Sequence, residues 1–303
     1  MYDRILVPLD GSDLAEIALP YAEEIAVSMG AQITLIHVAE SADDEHEHMH
    51  RAYIDKMVEI TKQNIKKHYE IRSIKSIKVD SVFVAGYSAE QIVDYAEEQK
   101  IGLIVMATHG QSGIRRWIVG SVAAKVVSAT EQPILLIRAN VITPERRKKQ
   151  IFKKALVPLD GSKESEAIMP YIGELASIVK TEVVLFHVVA PVQFFYSIPG
   201  EASNQSLSPD DINKIVAKRK DYLDTLGAGL KEKGIKASSR VIVGEPAKDI
   251  IRIADEIHAD FVAMSTHGRS GIDRWTLGST ADKVLHGGNT PIMLVRSARD
   301  NER

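Results

Sequence analysis

The chain contains two copies of nearly the same sequence. Residues 5–12 read ILVPLDGS and residues 155–162 read ALVPLDGS, an offset of 150 positions. Residues 107–121 read ATHGQSGIRRWIVGS and residues 265–279 read STHGRSGIDRWTLGS, an offset of 158 positions, so the second copy carries a net insertion of eight residues. A period near 150 residues is too long for a solenoid repeat and matches whole domains. We therefore predict a tandem duplication of one domain.

The composition narrows the class of protein. A formal net charge of −3 does not favour a nucleic-acid or membrane-surface binder. The chain has no cysteine, which excludes disulfides, zinc–thiolate sites and thiol catalysis and fits a cytoplasmic location. The N-terminus does not resemble a signal peptide, and no apolar stretch approaches the roughly 18 residues of a membrane helix. We expect neither a nucleic-acid partner nor a membrane partner.

Each copy alternates short apolar runs with longer amphipathic stretches. In the first copy the runs lie at 5–9, 33–38, 79–84, 103–106 and 134–137. Such runs suit strands covered on both faces, and strand–helix alternation with right-handed crossovers gives a parallel, doubly wound sheet. We predict two α/β domains, residues 1–140 and 153–303, joined by a linker at 141–152. Each domain is expected to be a five-stranded Rossmann-like sheet of order 3-2-1-4-5, with a kink in its first helix at Pro20 or Pro170.

Two loops recur in both copies and are expected to meet. One follows the first strand and contains Asp10 or Asp160, and the other follows the fourth strand and leads into the last helix. In the order 3-2-1-4-5 these strands are neighbours where the winding reverses, and ligands of such sheets bind beyond the carboxyl ends of the strands at that point. The loop glycines permit close backbone approach and positive φ, and Ser121 is expected to cap an anion-binding helix start, a pattern the second copy repeats.

The roles of two pairs of charged residues stay open at this level. Asp10 and Asp160 could bind a ligand, directly or through Mg²⁺, or could only form a turn at a helix start. Arg116 and Arg274 could neutralise phosphate charge or could lie on the surface. The chain lacks GxxxxGK[ST], a GxGxxG after a strand and GxSxG, so no catalytic residue is predicted.

The histidines near these loops form three groups. They are His109 and His267 beside the loop glycines, His37 and His187 at the end of the second strand, and His46, His48 and His50 in an acidic segment. No Asp–His–Ser arrangement can be named, so the first pair is expected to shape its loop and the second to pack at the strand end. The HxHxH run could bind a metal, but in an acidic loop solvent exposure explains it, and no metal site is predicted.

These motifs resemble those of the universal stress protein family, and the resemblance covers both copies. The nucleotide-binding subset of that family carries G-x-x-G, nine residues, then G-[S/T]. Both copies fit the latter part of this spacing, with Gly110, Gly120 and Ser121 in the first and Gly268, Gly278 and Ser279 in the second. The first glycine of the pattern is replaced by Ala107 and Ser265. Both residues are small, so the resemblance implies a site that is kept but slightly narrowed near the ribose.

The resemblance also implies which residues contact an adenine nucleotide. They are Asp10, Val38, Ala107, Gly110, Gly113, Gly120 and Ser121 in the first copy, and Asp160, Val188, Ser265, Gly268, Gly271, Gly278 and Ser279 in the second. The aspartates and the valine backbones would contact adenine, while the glycines and serines after strand four would hold the phosphates, with Mg²⁺ as an optional companion. The family implies a cytoplasmic stress-response protein, related in fold to the adenine nucleotide alpha hydrolases, with ATP or a related nucleotide at two sites and no assured catalytic activity.

Two other functions remain open. A stress protein that binds protein partners without tight nucleotide binding is favoured by Ala107 and Ser265. An ATP-using enzyme of the same broad class would need a further catalytic motif, such as SGGxDS or HIGH, and the chain has neither.

The last strand of each copy is strongly apolar and is predicted to lie at a sheet edge. An uncovered apolar edge favours aggregation. We therefore predict that these two strands pair antiparallel, as in dimers of the family, and form an intramolecular pseudo-dimer. A homodimer of chains is also open.

Overall fold

The structure is a computed structural model that describes residues 1–39, 47–68, 77–108, 119–138, 150–190, 208–268 and 277–297. Several residues named above lie outside the described residues, namely His46, His109, Gly110, Gly113, Arg116, Gly271 and Arg274. Most of the predicted linker also lies outside them.

The first compact unit contains residues 1–152 and residues 289–296. The strands of its first half are β1 (Arg4–Pro8), β2 (Gln32–Ala39), β3 (Val79–Ala85), β4 (Leu103–Ala107) and β5 (Ile134–Ile137). The helices are α1 (Asp13–Glu16), α2 (Leu19–Met29), α3 (Glu47–His68), α4 (Ser88–Glu98) and α5 (Ser121–Ala129). The strands are parallel in the order β3-β2-β1-β4-β5, which confirms the predicted order.

The second compact unit is built mainly from residues 153–272 and 278–288. Its strands are β6 (Lys154–Pro158), β7 (Glu182–Val189), β8 (Ala237–Val243) and β9 (Phe261–Ser265). Its helices are α6 (Lys163–Glu166), α7 (Ile168–Val179), α8 (Pro209–Glu232), α9 (Pro246–Glu256) and α10 (Ser279–Gly287). The strands are parallel in the order β8-β7-β6-β9, the same winding as in the first half of the chain.

The last strand of the chain, β10 (Ile292–Val295), belongs to the first unit by its contacts. It pairs antiparallel with β5, with Ile292 opposite Leu136 and Leu294 opposite Ile134. Every residue of both strands is buried. Within this unit β5 therefore has a hydrogen-bonded neighbour on each side, β4 and β10.

The core of each unit lies on both faces of its sheet. The central strands β1, β4, β6 and β9 are buried along nearly their whole length, whereas β3 and β8 are mostly half-buried. This distribution is the one expected for a sheet covered by helices on both faces, with β3 and β8 at the outer positions. The polar loops that follow the central strands are therefore anchored at the ends of buried strands.

The first helical stretch of each copy is broken rather than kinked. Helix α1 ends at Glu16, and α2 begins at Leu19 with Pro20 in its first turn. In the second copy α6 is followed by α7, of which Pro170 is the third residue. The prediction of a kinked continuous helix was wrong because proline is tolerated in a first turn, where its missing N–H would have no intrahelical acceptor.

Candidate functional site

Asp10 and Asp160 each follow the first strand of their unit and form the same turn. The Oδ1 atom of Asp10 accepts hydrogen bonds from the backbone N–H and the hydroxyl of Ser12, at 3.0 and 2.6 Å. The Oδ1 atom of Asp160 accepts the same two bonds from Ser162, at 2.9 and 2.5 Å. One oxygen of each carboxylate therefore belongs to the turn, which fixes the direction of the other.

The Gly-Ser part of the motif has a structural explanation of its own. Gly11 and Gly161 have φ values of 88° and 84°, in the left-handed region that favours glycine. The side chains of Ser12 and Ser162 accept a hydrogen bond from a backbone N–H of α1 and α6 and cap these helices. All three repeated residues thus serve the turn, and the second carboxylate oxygen of the aspartate is the atom with which this motif could bind a ligand.

Two buried histidines support the residue before each aspartate. His37 Nδ1 lies 2.8 Å from the carbonyl oxygen of Leu9, and His187 Nδ1 lies 2.7 Å from that of Leu159. Both side chains are 3% exposed. Since a carbonyl can only accept, Nδ1 carries the proton in each ring. The predicted packing of these histidines at the end of the second strand therefore includes a direct hold on the aspartate loop.

A tyrosine–glutamate contact also supports each aspartate loop, and the sequence interpretation missed it. The Tyr53 hydroxyl donates to Glu16 Oε1 at 3.2 Å, and the Tyr222 hydroxyl donates to Glu166 Oε1 at 2.7 Å. The glutamates are offset by 150 positions but the tyrosines by 169, because the helices between the two motifs are shifted. Comparison at the offsets of the motifs, 150 and 158, could not pair the tyrosines.

The pKa of each of these phenols is raised. Burial is the main cause, followed by the charge of the bonded glutamate and, more weakly, by the aspartate of the adjacent loop. Hydrogen bonding from the Gly11 backbone acts in the opposite direction on Tyr53. Both phenols therefore remain protonated donors throughout the physiological pH range.

The loop after the fourth strand folds back onto the strand end. The N–H of Gly120 donates to the Thr108 carbonyl at 2.7 Å, and the N–H of Gly278 donates to the Thr266 carbonyl at 2.8 Å. These bonds place the starts of α5 and α10 beside the ends of β4 and β9. Helix geometry leaves the N–H groups of the first turn without intrahelical acceptors, so each helix start can bind an anion.

Two details of this loop differ from the sequence prediction. Gly120 and Gly278 are themselves the N-cap residues, and Ser121 and Ser279 are the first helical residues, so the predicted capping role of the serine was wrong. The φ values of these glycines, −61° and −57°, are ordinary ones, so positive φ is not why glycine stands there. Close approach is the reason at Gly278, where a Cβ atom would lie 3.0 Å from the Thr266 oxygen.

The two loops of the second unit touch one another at Asp160 and Gly268. A Cβ atom on Gly268 would overlap Oδ2 of Asp160, so only glycine allows this approach. Nearby, His267 Nδ1 lies 2.9 Å from Thr266 Oγ1, which ties the imidazole to its own loop. The aspartate and the glycine-rich loop, which are far apart in sequence, therefore form one surface.

A cavity of about 230 Å³ opens at this surface, beyond the carboxyl ends of β6 and β9. Its lining includes six residues that the sequence assigned to the second site, namely Asp160, Val188, Ser265, Gly268, Gly278 and Ser279. The seventh, Gly271, lies outside the described residues. Apolar walls come from Phe186, Ile250 and Met264, and polar groups are concentrated at the loops. The cavity thus combines apolar walls with a carboxylate and a helix start.

The corresponding residues of the first unit lie at equivalent places. Asp10 follows β1, and Ala107 ends the neighbouring strand β4. Val38 lies near the end of β2, and Gly120 and Ser121 stand at the start of α5. Gly110 and Gly113 lie outside the described residues.

The HxHxH segment lies partly in helix α3 and not in a loop. His48 is exposed, as expected, but His50 is not, because its Nδ1 lies 2.9 Å from His37 Nε2. Among the described residues no group of three or more metal-ligating side chains comes together. Within the same part of the chain, no helix is both long and apolar enough to cross a membrane.

The duplicated doubly wound winding and its repeated loops define a tandem α/β protein, with a cavity at the switch point of the second unit. A model of the universal stress protein family matches residues 1–138 and again residues 151–296. The chain therefore belongs to the universal stress protein family, with two copies of the family's domain.

Similar proteins with one or two copies agree with this membership. The chain is 21% identical to universal stress protein Rv2005c of Mycobacterium tuberculosis, over 97% of both chains. It is 26% identical to universal stress protein MJ0577 of Methanocaldococcus jannaschii over 155 residues, which are 48% of this chain and 96% of that protein. A crystal structure of a universal stress protein from Archaeoglobus fulgidus superposes with a TM-score of 0.67 at 19% identity, covering 98% of this chain and 97% of that one. This last likeness shows a shared fold.

Proposed function

We propose that the chain binds an adenine nucleotide, ATP or a close relative, in each of its two copies and acts in the cytoplasm as a nucleotide-responsive stress protein. The observation that carries this proposal is the convergence of Asp160, Gly268 and the start of α10 on one cavity at the switch point of the sheet. Ligands of doubly wound sheets bind at this place.

The chemistry of the cavity matches the parts of a nucleotide. Phe186, Ile250 and Met264 offer apolar contact to a flat base, and the Asp160 carboxylate can accept from an exocyclic amino group. The first-turn N–H groups of α10, together with the helix dipole, suit phosphate oxygens. The one carboxylate of the described lining, Asp160, is assigned to the base, so a Mg²⁺ ion accompanying the nucleotide would take its ligands from phosphate and water.

The first copy supports a second site by its matching local geometry. It has the same Asp–Ser turn, the same histidine contact beneath the loop and the same bond from Gly120 to the Thr108 carbonyl. Five of the seven residues proposed for this site are described, and they stand at the strand and helix ends where their counterparts line the cavity of the second unit. A stoichiometry of two nucleotides per chain follows from this proposal.

A partner-binding protein without tight nucleotide binding is the alternative function. It is favoured by Ala107 and Ser265, which replace a glycine of the nucleotide-binding pattern, and by the cavity volume of about 230 Å³. Ligand pockets usually measure about 300–1,000 Å³. Under this alternative the loops would bind protein, and any nucleotide would bind only weakly.

Mass spectrometry of the denatured, freshly purified protein separates these two functions. The nucleotide-binding proposal predicts co-purified adenine nucleotide, and in the stripped protein it predicts thermal stabilisation by ATP with Mg²⁺. At about 100 times the dissociation constant, a ligand adds roughly 2.7 kcal/mol to the free energy of unfolding of the domain that binds it. For a domain near 150 residues this raises Tm by several degrees. Absence of both effects would favour the partner-binding alternative.

Replacing Asp160 by asparagine is expected to weaken nucleotide binding in the second site while keeping the fold. The asparagine Oδ1 can still accept from Ser162, so the turn persists. The atom beside Gly268 changes from an acceptor to a donor, which is expected to raise Kd about tenfold or more. Calorimetry on the full chain measures the Kd, and thermal unfolding without ligand is the control. An unchanged Kd would leave Asp160 with only its turn-forming role.

Little or no ATP turnover is expected. The described loops contain a hydroxyl–imidazole contact between the adjacent residues Thr266 and His267, at 2.9 Å, but the threonine is buried, 6% exposed, which restricts its access to a phosphate. A phosphate-release assay on the purified chain should give less than about 1 s⁻¹, below the usual range of dedicated enzymes. Faster turnover that disappears in the double variant Asp10→Ala/Asp160→Ala would contradict this expectation.

A further inference from the structure

The position of His50 in α3 corresponds to that of Arg219 in α8. The tyrosine–glutamate contacts described above align these helices with an offset of 169 positions. A second pair of helix residues has the same offset. Asp55 of α3 and Asp224 of α8 each accept a hydrogen bond from a serine hydroxyl of the neighbouring strand, β3 or β8. The first copy therefore has a titratable histidine, His50, at the position where the second copy has a permanently charged arginine, Arg219.

His37 and His50 form an imidazole pair that can carry one positive charge but not two. His37 uses its Nδ1–H toward the Leu9 carbonyl, so its Nε2 faces His50 Nδ1, at 2.9 Å, with either a lone pair or a second proton. A single proton between His37 Nε2 and His50 Nδ1 forms a hydrogen bond. This holds both when the pair is neutral and when it carries one positive charge. A further proton would set two N–H groups against each other, so the observed contact limits the pair to a charge of zero or one.

Charged groups of both signs lie on the elements that carry or contact the imidazole pair. Tyr53 of α3 packs against His37 and donates to Glu16 of α1, and Asp10 after β1 also raises the pKa of this tyrosine. Glu47 and Arg51 form an ion pair with each other at 2.6 Å. Strand β3 contributes Phe83, whose ring stacks on both imidazoles and carries the Arg51 guanidinium over one face. The carboxylates linked to the pair through Tyr53 favour its charged form, whereas the burial of His37 and the nearby Arg51 guanidinium oppose it.

The charge at this position in the second copy acts on the tyrosine that contacts the helix after the aspartate loop. In the second copy the tyrosine beneath the loop is influenced by Asp160 and by Arg219, whose effects on its pKa are opposite. In the first copy, the pKa of the equivalent tyrosine, Tyr53, is influenced by two carboxylates and by the Gly11 backbone. The charge of an arginine is permanent under all ordinary conditions, whereas histidine is the side chain that changes charge between about pH 5 and 8.

We propose that this position makes the two sites differ in their response to pH. The second site has a permanent positive charge beside its aspartate loop, and the first site gains that charge only when the imidazole pair takes up a proton. The first site should therefore gain more affinity for an anionic nucleotide than the second as the pH falls. His187 and His267 line the second cavity and are titratable too, but the first copy has their counterparts, His37 and His109, so the difference between the sites comes from His50 and Arg219. This inference rests on the proposed nucleotide binding.

Measurement of the ATP dissociation constant at pH 8 and pH 6 on full-length chains tests the proposal. Site one is isolated in Gly278→Val and site two in Gly120→Val, and the ratio of the two constants cancels the titration of ATP itself. On acidification the Kd of site one should fall relative to that of site two by roughly three- to tenfold. This is the effect expected of one partly screened unit charge. His50→Arg should abolish the change, and Arg219→His should make site two respond as well.

His48→Arg is the matched control. It adds the same charge two residues away, on the exposed face of α3. A Kd ratio that is equal at both pH values, or a response to His48→Arg equal to that of His50→Arg, would overturn the proposal.

A second measurement reports the pair without any ligand. In NMR spectra of the nucleotide-free chain, two histidine ring signals should titrate together, and this joint titration should disappear in His50→Arg but persist in His48→Arg. Independent titration of all histidines would overturn the imidazole pair. A wild-type chain that binds no ATP at either pH would instead overturn the proposed function, and with it the affinity difference, while the NMR titration would show whether the pair still exists.

Discussion

Gly278→Val is expected to abolish nucleotide binding in the second site and leave the fold intact, with a loss of affinity of at least about 100-fold. A Cβ atom alone would lie 3.0 Å from the Thr266 carbonyl oxygen, and the two methyl groups of valine would enlarge that conflict at the start of α10. The bond from the Gly278 N–H to Thr266 would then be distorted, and the helix start would move away from the phosphate position. Gly120→Val should have the same effect on the first site.

Equilibrium binding of labelled ATP measures this directly. Each single variant should lower the stoichiometry from two to one, and the double variant should bind none while its circular dichroism stays native. Gly229→Val is the matched control, because Gly229 is an exposed glycine of α8 with no atom within 4 Å of its Cβ position. If the double variant still binds two nucleotides, these glycines only shape a turn and the proposed sites are misplaced.

Leu136→Pro is expected to be the most destabilising single change, costing about 3 kcal/mol beyond the loss of the leucine side chain alone. Leu136 is fully buried in β5 and has neighbours in both β4 and β10. Proline would remove a strand N–H and distort the backbone between two partner strands. Leu136→Ala is the matched comparison, since it removes packing but keeps the donor, so urea unfolding should place it clearly between wild type and proline.

The same pairing makes a prediction for the intramolecular pseudo-dimer. If β10 covers β5 as a structural necessity, a fragment of residues 1–143 lacks that cover and exposes an apolar edge, which should lower its stability or cause it to self-associate. Sedimentation and urea unfolding of the two fragments, 1–143 and 150–303, test this. If both are fully stable monomers, and if Leu136→Pro perturbs only the first half of the full chain, the pseudo-dimer is wrong.

The fold could be predicted from the sequence because its signals are local and repeated. The strand runs at 5–9 and 134–137 correspond to β1 and β5 within a residue, since near-continuous apolar runs bounded by turns have few alternatives in an alternating α/β pattern. The order 3-2-1-4-5 is one of the two common doubly wound orders, and assuming it brought the two repeated loops together at one switch point. The duplication itself supplied the comparison that singled out Asp10 and Asp160.

The contacts that depend on side-chain geometry could not be predicted in this way. The Tyr53–Glu16 contact joins residues whose counterparts have different offsets in the two copies, so no repeated spacing reveals it. The capping role of Gly120 depends on a bond to the Thr108 carbonyl, which becomes visible only when β4 and α5 are in place. The sequence interpretation placed His50 in an acidic loop because residues 40–50 are polar and rich in Asp and Glu and show no helical spacing of apolar residues.

Isothermal titration of the nucleotide-stripped wild-type chain with ATP and Mg²⁺ tests the central claim most directly. Two sites built from the same Asp–Ser turn and the same glycine-framed helix start predict a stoichiometry of two nucleotides per chain, with binding lost when both glycines are replaced. A flat titration, together with an unchanged Tm in the presence of ATP, would contradict the account and leave the duplicated crevices as surfaces for a protein partner.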